Sequence, residues 1–134
     1  MNNSKIHIVF LFITILFSSL FSSCSKDDPV SPPPLPLPPS ASGAWTGTLT
    51  YAGTPGSFSL NLTQDVILFT GNGNYNGLSV SISGDNHYPD IKFAFGATNY
   101  QQATFAGKFT SPTTLSGLVN GSGFTNATAE FTKN

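Results

Sequence analysis

The distribution of apolar residues from Ala41 to Asn134 predicts an all-β fold: a small up-and-down antiparallel β-barrel of about eight strands, with a β-sandwich as the alternative. Three observations predict it. Apolar residues alternate with serine and threonine at period two in run after run, which is the pattern of strands with one buried face. The runs are short and separated by Gly, Asn and Pro, the residues that turns require. No stretch here sustains a helical period, and hairpin-linked strands close most simply into a barrel, which leaves no unpaired edge.

The elements follow in order. Trp45 to Tyr51 sets Trp45, Leu49 and Tyr51 on one face and threonines on the other, and Thr54-Pro55-Gly56 is expected to turn the chain. Ser57 to Thr63 places Phe58, Leu60 and Leu62 together, and Val66 to Thr70 is expected as the next strand. Gly71-Asn72-Gly73-Asn74 has turn composition, after which Gly77 to Ser83 alternates Leu78, Val80 and Ile82 with serines. A longer loop is expected from Gly84 to Pro89, followed by Ile91, Phe93 and Phe95 on one face. Gln102 to Thr110 and Thr114 to Asn120 form a hairpin through Ser111-Pro112-Thr113. In the last run, Phe124 and Phe131 are an odd number of residues apart, so both face inward only if a bulge intervenes. Glycines inside strands at Gly47, Gly107 and Gly117 suit the sharp bends of a small barrel.

A domain of this size buries roughly 60 to 65% of its unfolded surface, enough for one modest core. Its charges are Asp65, Asp85, Asp90 and Glu130 against Lys92, Lys108 and Lys133, and the chain has no arginine. Nucleic-acid binding needs clustered Lys or Arg to neutralise phosphates, so that class is excluded.

The residues before this domain describe an address. Lys5 precedes an almost unbroken apolar run, Ile6 to Phe17, which ends in small residues. That is a signal peptide pattern, too short and too serine-rich at its end for a permanent span. His7 lies within it and leaves with it. The junction Phe21-Ser22-Ser23-Cys24 resembles the lipobox of bacterial lipoproteins, with Phe21 where the family prefers Leu. The resemblance implies cleavage after Ser23 and acylation of Cys24. Lys26-Asp27-Asp28 is similar to the export signal of surface-exposed lipoproteins in some gram-negative bacteria, which implies the outer membrane with the domain facing the cell surface. Several acyl chains are needed because burial gives about 0.8 kcal/mol per CH₂ and one chain holds only reversibly. With Cys24 the only cysteine, no internal disulfide can staple the fold. Pro29 to Ser40 is dense in proline and predicts a polyproline II spacer of roughly 35 to 40 Å. The expected organisation is therefore a signal peptide (1–23), a lipidated cysteine with its linker (24–40) and a barrel (41–134).

Gly43-Ala44-Trp45, where the first strand begins, is similar to the Gly-x-Trp signature of calycins, the superfamily of lipocalins, fatty-acid-binding proteins and avidin-like barrels. That resemblance implies a tryptophan closing one barrel end, a basic side chain across it, for which Lys133 is the candidate, and a cavity for small apolar molecules. Residue size argues for a filled interior instead. Strands of about six to eight residues must accommodate Phe58, Phe93, Phe95, Phe105, Phe109 and Phe131.

Catalytic residue sets are poorly supplied. His87 is the one histidine outside the signal peptide, and its possible orienters Asp85 and Asp90 share the loop Asp85-Asn86-His87-Tyr88-Pro89-Asp90, whose composition is that of a turn. The same loop lacks the acidic spacing of calcium loops. Asp65 and Glu130 would have to face one cleft to hydrolyse glycosides, and no pattern brings them together. The expected protein is not an enzyme, uses no cofactor or metal and is a monomer. Candidate binding residues are the aromatics near turns: Trp45, Tyr75, Tyr88 and Tyr100. Tyrosine beside Asn and Gln is the composition that stacks on sugars or makes adaptable protein contacts. The leading functional reading is a lipid-anchored binding or interaction module taking a glycan, protein or small apolar ligand. The alternatives are a lipocalin-like carrier of small apolar molecules and a hydrolase inhibitor.

Overall fold

A computed structural model of the chain describes residues 37–134, all within the compact unit Pro36–Asn134. The expected signal peptide, Cys24 and the expected spacer up to residue 36 lie outside the described residues. Eight strands run β1 (Gly43–Tyr51), β2 (Thr54–Asp65), β3 (Leu68–Tyr75), β4 (Leu78–His87), β5 (Asp90–Gly96), β6 (Ala103–Ser111), β7 (Thr114–Gly121) and β8 (Phe124–Lys133). Each pairs antiparallel with the next, and β1 pairs with β8, so the barrel is closed and the sandwich alternative falls. Because every edge is paired and the core is its own, the unit needs no outside element to complete its sheet.

Six of the seven connections are two residues long, and the seventh, between β5 and β6, has six. Three of the tight ones carry glycine second, each pair with positive φ throughout: Ala52-Gly53, Asn76-Gly77 and Ser122-Gly123. Such turns match the right-handed twist of the flanking strands.

Several expected boundaries move. Thr54-Pro55-Gly56 opens β2 rather than turning the chain, which reverses one step earlier. Gly71-Asn72-Gly73-Asn74 lies within β3, and Val66-Ile67 is the turn before it. Gly84 to His87 completes β4, leaving Tyr88-Pro89 as the connection, with a cis peptide bond between them. Composition misled here because glycine and asparagine served another purpose. Gly71 stands opposite Leu62 and Ile82, and Gly73 opposite Leu60 and Val80, so both take inward positions where a side chain would collide with neighbouring backbone. Strands are also longer than expected, with 12 residues in β2.

The bulge inferred from the parity of β8 is present. Val119 pairs with Ala127 but Gly121 pairs with Phe124, and the extra residue, Asn126, has φ +50°. Its amide donates to Asn120 Oδ1 at 2.8 Å. Phe124, Ala127, Ala129 and Phe131 are thereby all turned to the core.

The interior is a cluster of phenylalanines. Phe93 stacks on Phe105 with centroids 4.7 Å apart and meets Phe69, Phe95 and Phe131 at 6.1 to 6.2 Å. Phe58 meets Phe95 at 4.9 Å and Phe131 at 5.5 Å, mostly edge to face. The packed interior expected from residue size is what the chain builds. Room for these rings comes from the inward glycines at the barrel's corners. A Cβ at Gly107 would stand 2.5 Å from Phe105 Cζ and 2.9 Å from Gly117 Cα. Gly107→Ala is therefore expected to lower unfolding stability by about 1–3 kcal/mol through overpacking. Denaturant titration would check it, and an unchanged midpoint would mean that the corner can open.

Candidate functional site

The two ends of the barrel are built differently. At one end the chain itself forms a plug. Ala41 is completely buried, its amide donating to Gln64 Oε1 at 2.7 Å and its carbonyl accepting from Trp45 Nε1 at 2.8 Å. Asn86, from β4, donates through Nδ2 to Pro39 O and to Gln64 Oε1, both at 3.0 Å, and Ser42 Oγ accepts from the Gln64 amide. Gln64 and Asn86 are thus inward polar residues whose bonds hold residues 39–42 across the barrel floor. Trp45 is fully buried, with its ring edge on Phe109 at 6.2 Å. Lys133 Nζ lies 5.6 Å from the Trp45 ring centroid and donates to Ser40 O. A tryptophan with a cation across it closes this end, in the arrangement that the calycin resemblance implies.

The opposite end is open. Phe58 and Phe95 form its floor, and Tyr75 and Phe124 pack edge to face above them at 5.9 Å, with Tyr51 on the other side of Phe124 at 5.6 Å. Between Tyr75, Leu78, Val80, Phe95, Tyr100 and Phe124 lies a pocket of about 200 Å³. Its outer wall is the six-residue connection Ala97 to Gln102, closed by a bond from the Tyr100 amide to Ala97 O at 3.1 Å. The Tyr100 side chain is exposed on this wall. Tight asparagine bonds hold the neighbouring turn: Asn76 Oδ1 accepts from the Ser57 amide at 2.8 Å, and Asn74 Oδ1 from the Gly77 amide at 2.6 Å. The pocket therefore has a fixed aromatic floor and one long wall.

The sequence-derived candidates divide between the ends. Tyr75 and Tyr100 converge on the open pocket; Tyr75 is the last residue of β3, not a turn residue. Tyr88 lies at the closed end against Phe109, at 5.7 Å. Trp45 has no exposed surface, so its role in this structure is closure. Leu78, Val80, Phe95 and Phe124 complete the pocket and were not singled out beforehand. The odd spacing of Phe124 was the one available signal, because an aromatic ahead of a bulge sits at a barrel rim.

His87 Nε2 lies 3.4 Å from Asp85 Oδ2, and Lys108 Nζ lies 3.7 Å from Asp90 Oδ1, all four side chains largely in solvent where screening weakens such pairs. Asp65 stands at the closed end opposite Leu68, whereas Glu130 pairs with Thr48 and Ser116, so β1 separates the two carboxylates. Among the described residues, no three His, Cys, Asp or Glu side chains gather where a metal would be held.

No family model matches the sequence, and no curated protein matches it. Among solved structures, the chain is similar to a redesigned β-barrel, mFAP1, bound to DFHBI, with TM-score 0.52 and 14% identity over 69% of this chain and 94% of that one. It is also similar to EF1p2_mFAP2b bound to DFHBI, with TM-score 0.51 and 12% identity over 69% of this chain and 93% of that one. At such identities the likeness concerns the fold alone.

Proposed function

We propose that this chain is a lipid-anchored envelope protein, held through Cys24 in the outer membrane and facing the cell surface, whose barrel is a non-catalytic binding module working through its open end. The observation that carries the reading is the aromatic pocket at that end. Its volume of about 200 Å³ is below the range of roughly 300–1,000 Å³ typical for whole small-molecule ligands, and the phenylalanine interior beneath it is filled. The pocket fits one ring or one short apolar group, such as a single aromatic ring or the apolar face of a sugar, rather than a buried fatty acid. Both termini of the barrel lie at the other end, where the Asn134 amide donates to Ala44 O at 2.9 Å. The open end is therefore the one remote from residue 37, where the described chain begins.

Both structural neighbours hold DFHBI, which makes that molecule the first probe, alongside phenyl and methyl glycosides. Titration followed by amide NMR is expected to shift Ala97, Tyr100 and Phe124 while leaving Trp45 and Ala41 in place. Phe124→Ala is expected to weaken binding by about 10-fold or more, the scale of one lost aromatic contact. Shifts confined to the closed end would sink the reading. No shift with any small molecule would direct attention to a macromolecule contacted by Tyr100 and its connection.

A further inference from the structure

The connection between β2 and β3 takes a positive φ without the glycine or asparagine that usually accommodates one. Val66 has φ +55°, a region where a β-branched side chain is disfavoured and where glycine or asparagine stands without strain. The next residue is also β-branched, and both project outward: Val66 is 84% exposed, Ile67 43% and Leu68 64%. A turn so built gives up backbone comfort and solubility at once. It also has company, because Leu37, 91% exposed, and Tyr88, 49% exposed, line a shallow groove of about 530 Å³ with Val66 and Ile67. This apolar surface is at the closed end, where the chain leading from Cys24 arrives.

We propose that this tip, Val66-Ile67-Leu68 with Leu37 and Tyr88, docks in the interface of the lipid bilayer that carries the anchor. The proposal rests on the lipoprotein reading of Cys24, and the length of the preceding chain favours this occupant. The chain from Cys24 to Leu37 spans about 47 Å at most even fully extended, so the patch stays within reach of the surface that holds the acyl chains. The charges at this end alternate in sign, with Lys92 opposite Asp85, His87 beside Asp85, Lys108 beside Asp90, and Asp65 and Lys133 apart from them, so no basic cluster forms, the attraction is apolar and zwitterionic lipid suffices. Tyr88 is a residue that suits an interface, apolar in body and polar at its tip. Docked this way, the barrel stands with its closed end on lipid and its aromatic pocket outward.

The test uses the chain from residue 24 onward with Cys24→Ser, so that no acyl chain contributes, mixed with vesicles of phosphatidylcholine and phosphatidylethanolamine. Co-sedimentation is expected, unchanged by added salt. Val66→Asn with Ile67→Ser is expected to reduce it roughly ten- to hundred-fold, the partition equivalent of one fully buried aliphatic side chain or two half-buried ones. The same double variant is expected to melt no lower than the parent, since asparagine tolerates the left-handed conformation, so failure to fold cannot explain the loss. Equal sedimentation of parent and variant overturns the proposal, as does absence of sedimentation by the parent. Light scattering that shows a dimer dispersed by the double variant also overturns it, since a second copy then covers the patch. Dependence on phosphatidylglycerol and low salt would mean an electrostatic association and count against it equally. Incorporation of labelled palmitate into the full chain, abolished by Cys24→Ser, is read separately. If that fails, the anchor reading falls, and the vesicle result still decides the tip.

Discussion

Phe93→Ala is expected to destabilise the barrel by about 3–5 kcal/mol. Phe93 is 1% exposed and is the ring on which four others converge: Phe69, Phe95, Phe105 and Phe131. Deleting it removes one large transfer contribution and leaves a hole that rigid neighbours on a closed sheet cannot collapse into. A domain of this size has only about 5–15 kcal/mol of net stability, so roughly a fifth or more of the total is at stake. Thermal denaturation should show the midpoint falling by roughly 12–40 °C, at about 4–8 °C per kcal/mol for a domain under 100 residues. A loss near 1 kcal/mol would show that the interior is loosely filled, and the case for a shallow pocket over a deep cavity would go with it. Phe93→Leu separates the two contributions, since it keeps most of the apolar transfer and removes the ring geometry. It is expected to cost clearly less than the alanine change.

Why the barrel was legible while several boundaries were not follows from what each signal measures. Period-two alternation reports the two faces of a strand, and Phe58-Leu60-Leu62 and Ile91-Phe93-Phe95 carry it without interruption, so strand number and facing emerged together. Composition reports turns only where glycine is used for its φ. At Asn76-Gly77 it is, and the turn lies there. At Gly71, Gly73 and Gly84 glycine is used for its missing side chain, because the backbone of the neighbouring strand passes too close for a Cβ. A corner of a small barrel and a turn between strands ask for the same residue for unrelated reasons, and a single sequence does not distinguish them. The reverse holds at Val66-Ile67, a tight turn written in strand residues.

The candidate site was half legible for a similar reason. Tyr75 and Tyr100 stood out because tyrosine near Asn and Gln is conspicuous, and they do meet at one pocket. Trp45 and Tyr88 stood out equally but belong to the opposite end, and which end a residue occupies depends on register, fixed only when β1 pairs with both β2 and β8. Gln64 and Asn86 were invisible. Each reads as one more polar residue of a connection, yet together they fasten residues 39–42, the first two of which composition had placed in the linker.

Trp45→Ala is the other change expected to have a large effect, about 3–5 kcal/mol, with a consequence that Phe93→Ala lacks. The indole fills the closed end, meets Phe109, lies under Lys133 and donates to Ala41 O. Removing it takes away the support of the plug as well as core volume. Residues 39–42 are then retained only through Gln64, Asn86 and Lys133 Nζ, bonds that are more exposed once the ring is gone. Amide hydrogen exchange at Ala41 should accelerate far more than exchange in β5 and β6, whereas Phe93→Ala should raise both together. Trp45→Phe isolates the hydrogen bond: the ring's apolar contacts largely survive, but the buried Ala41 carbonyl loses its donor, for an expected cost of about 1–3 kcal/mol. Uniform acceleration in Trp45→Ala would mean that plug and barrel unfold as one unit, and that the closed end is an ordinary part of the core. Selective acceleration would mean that the plug is a separable latch on the barrel, fastened by one tryptophan.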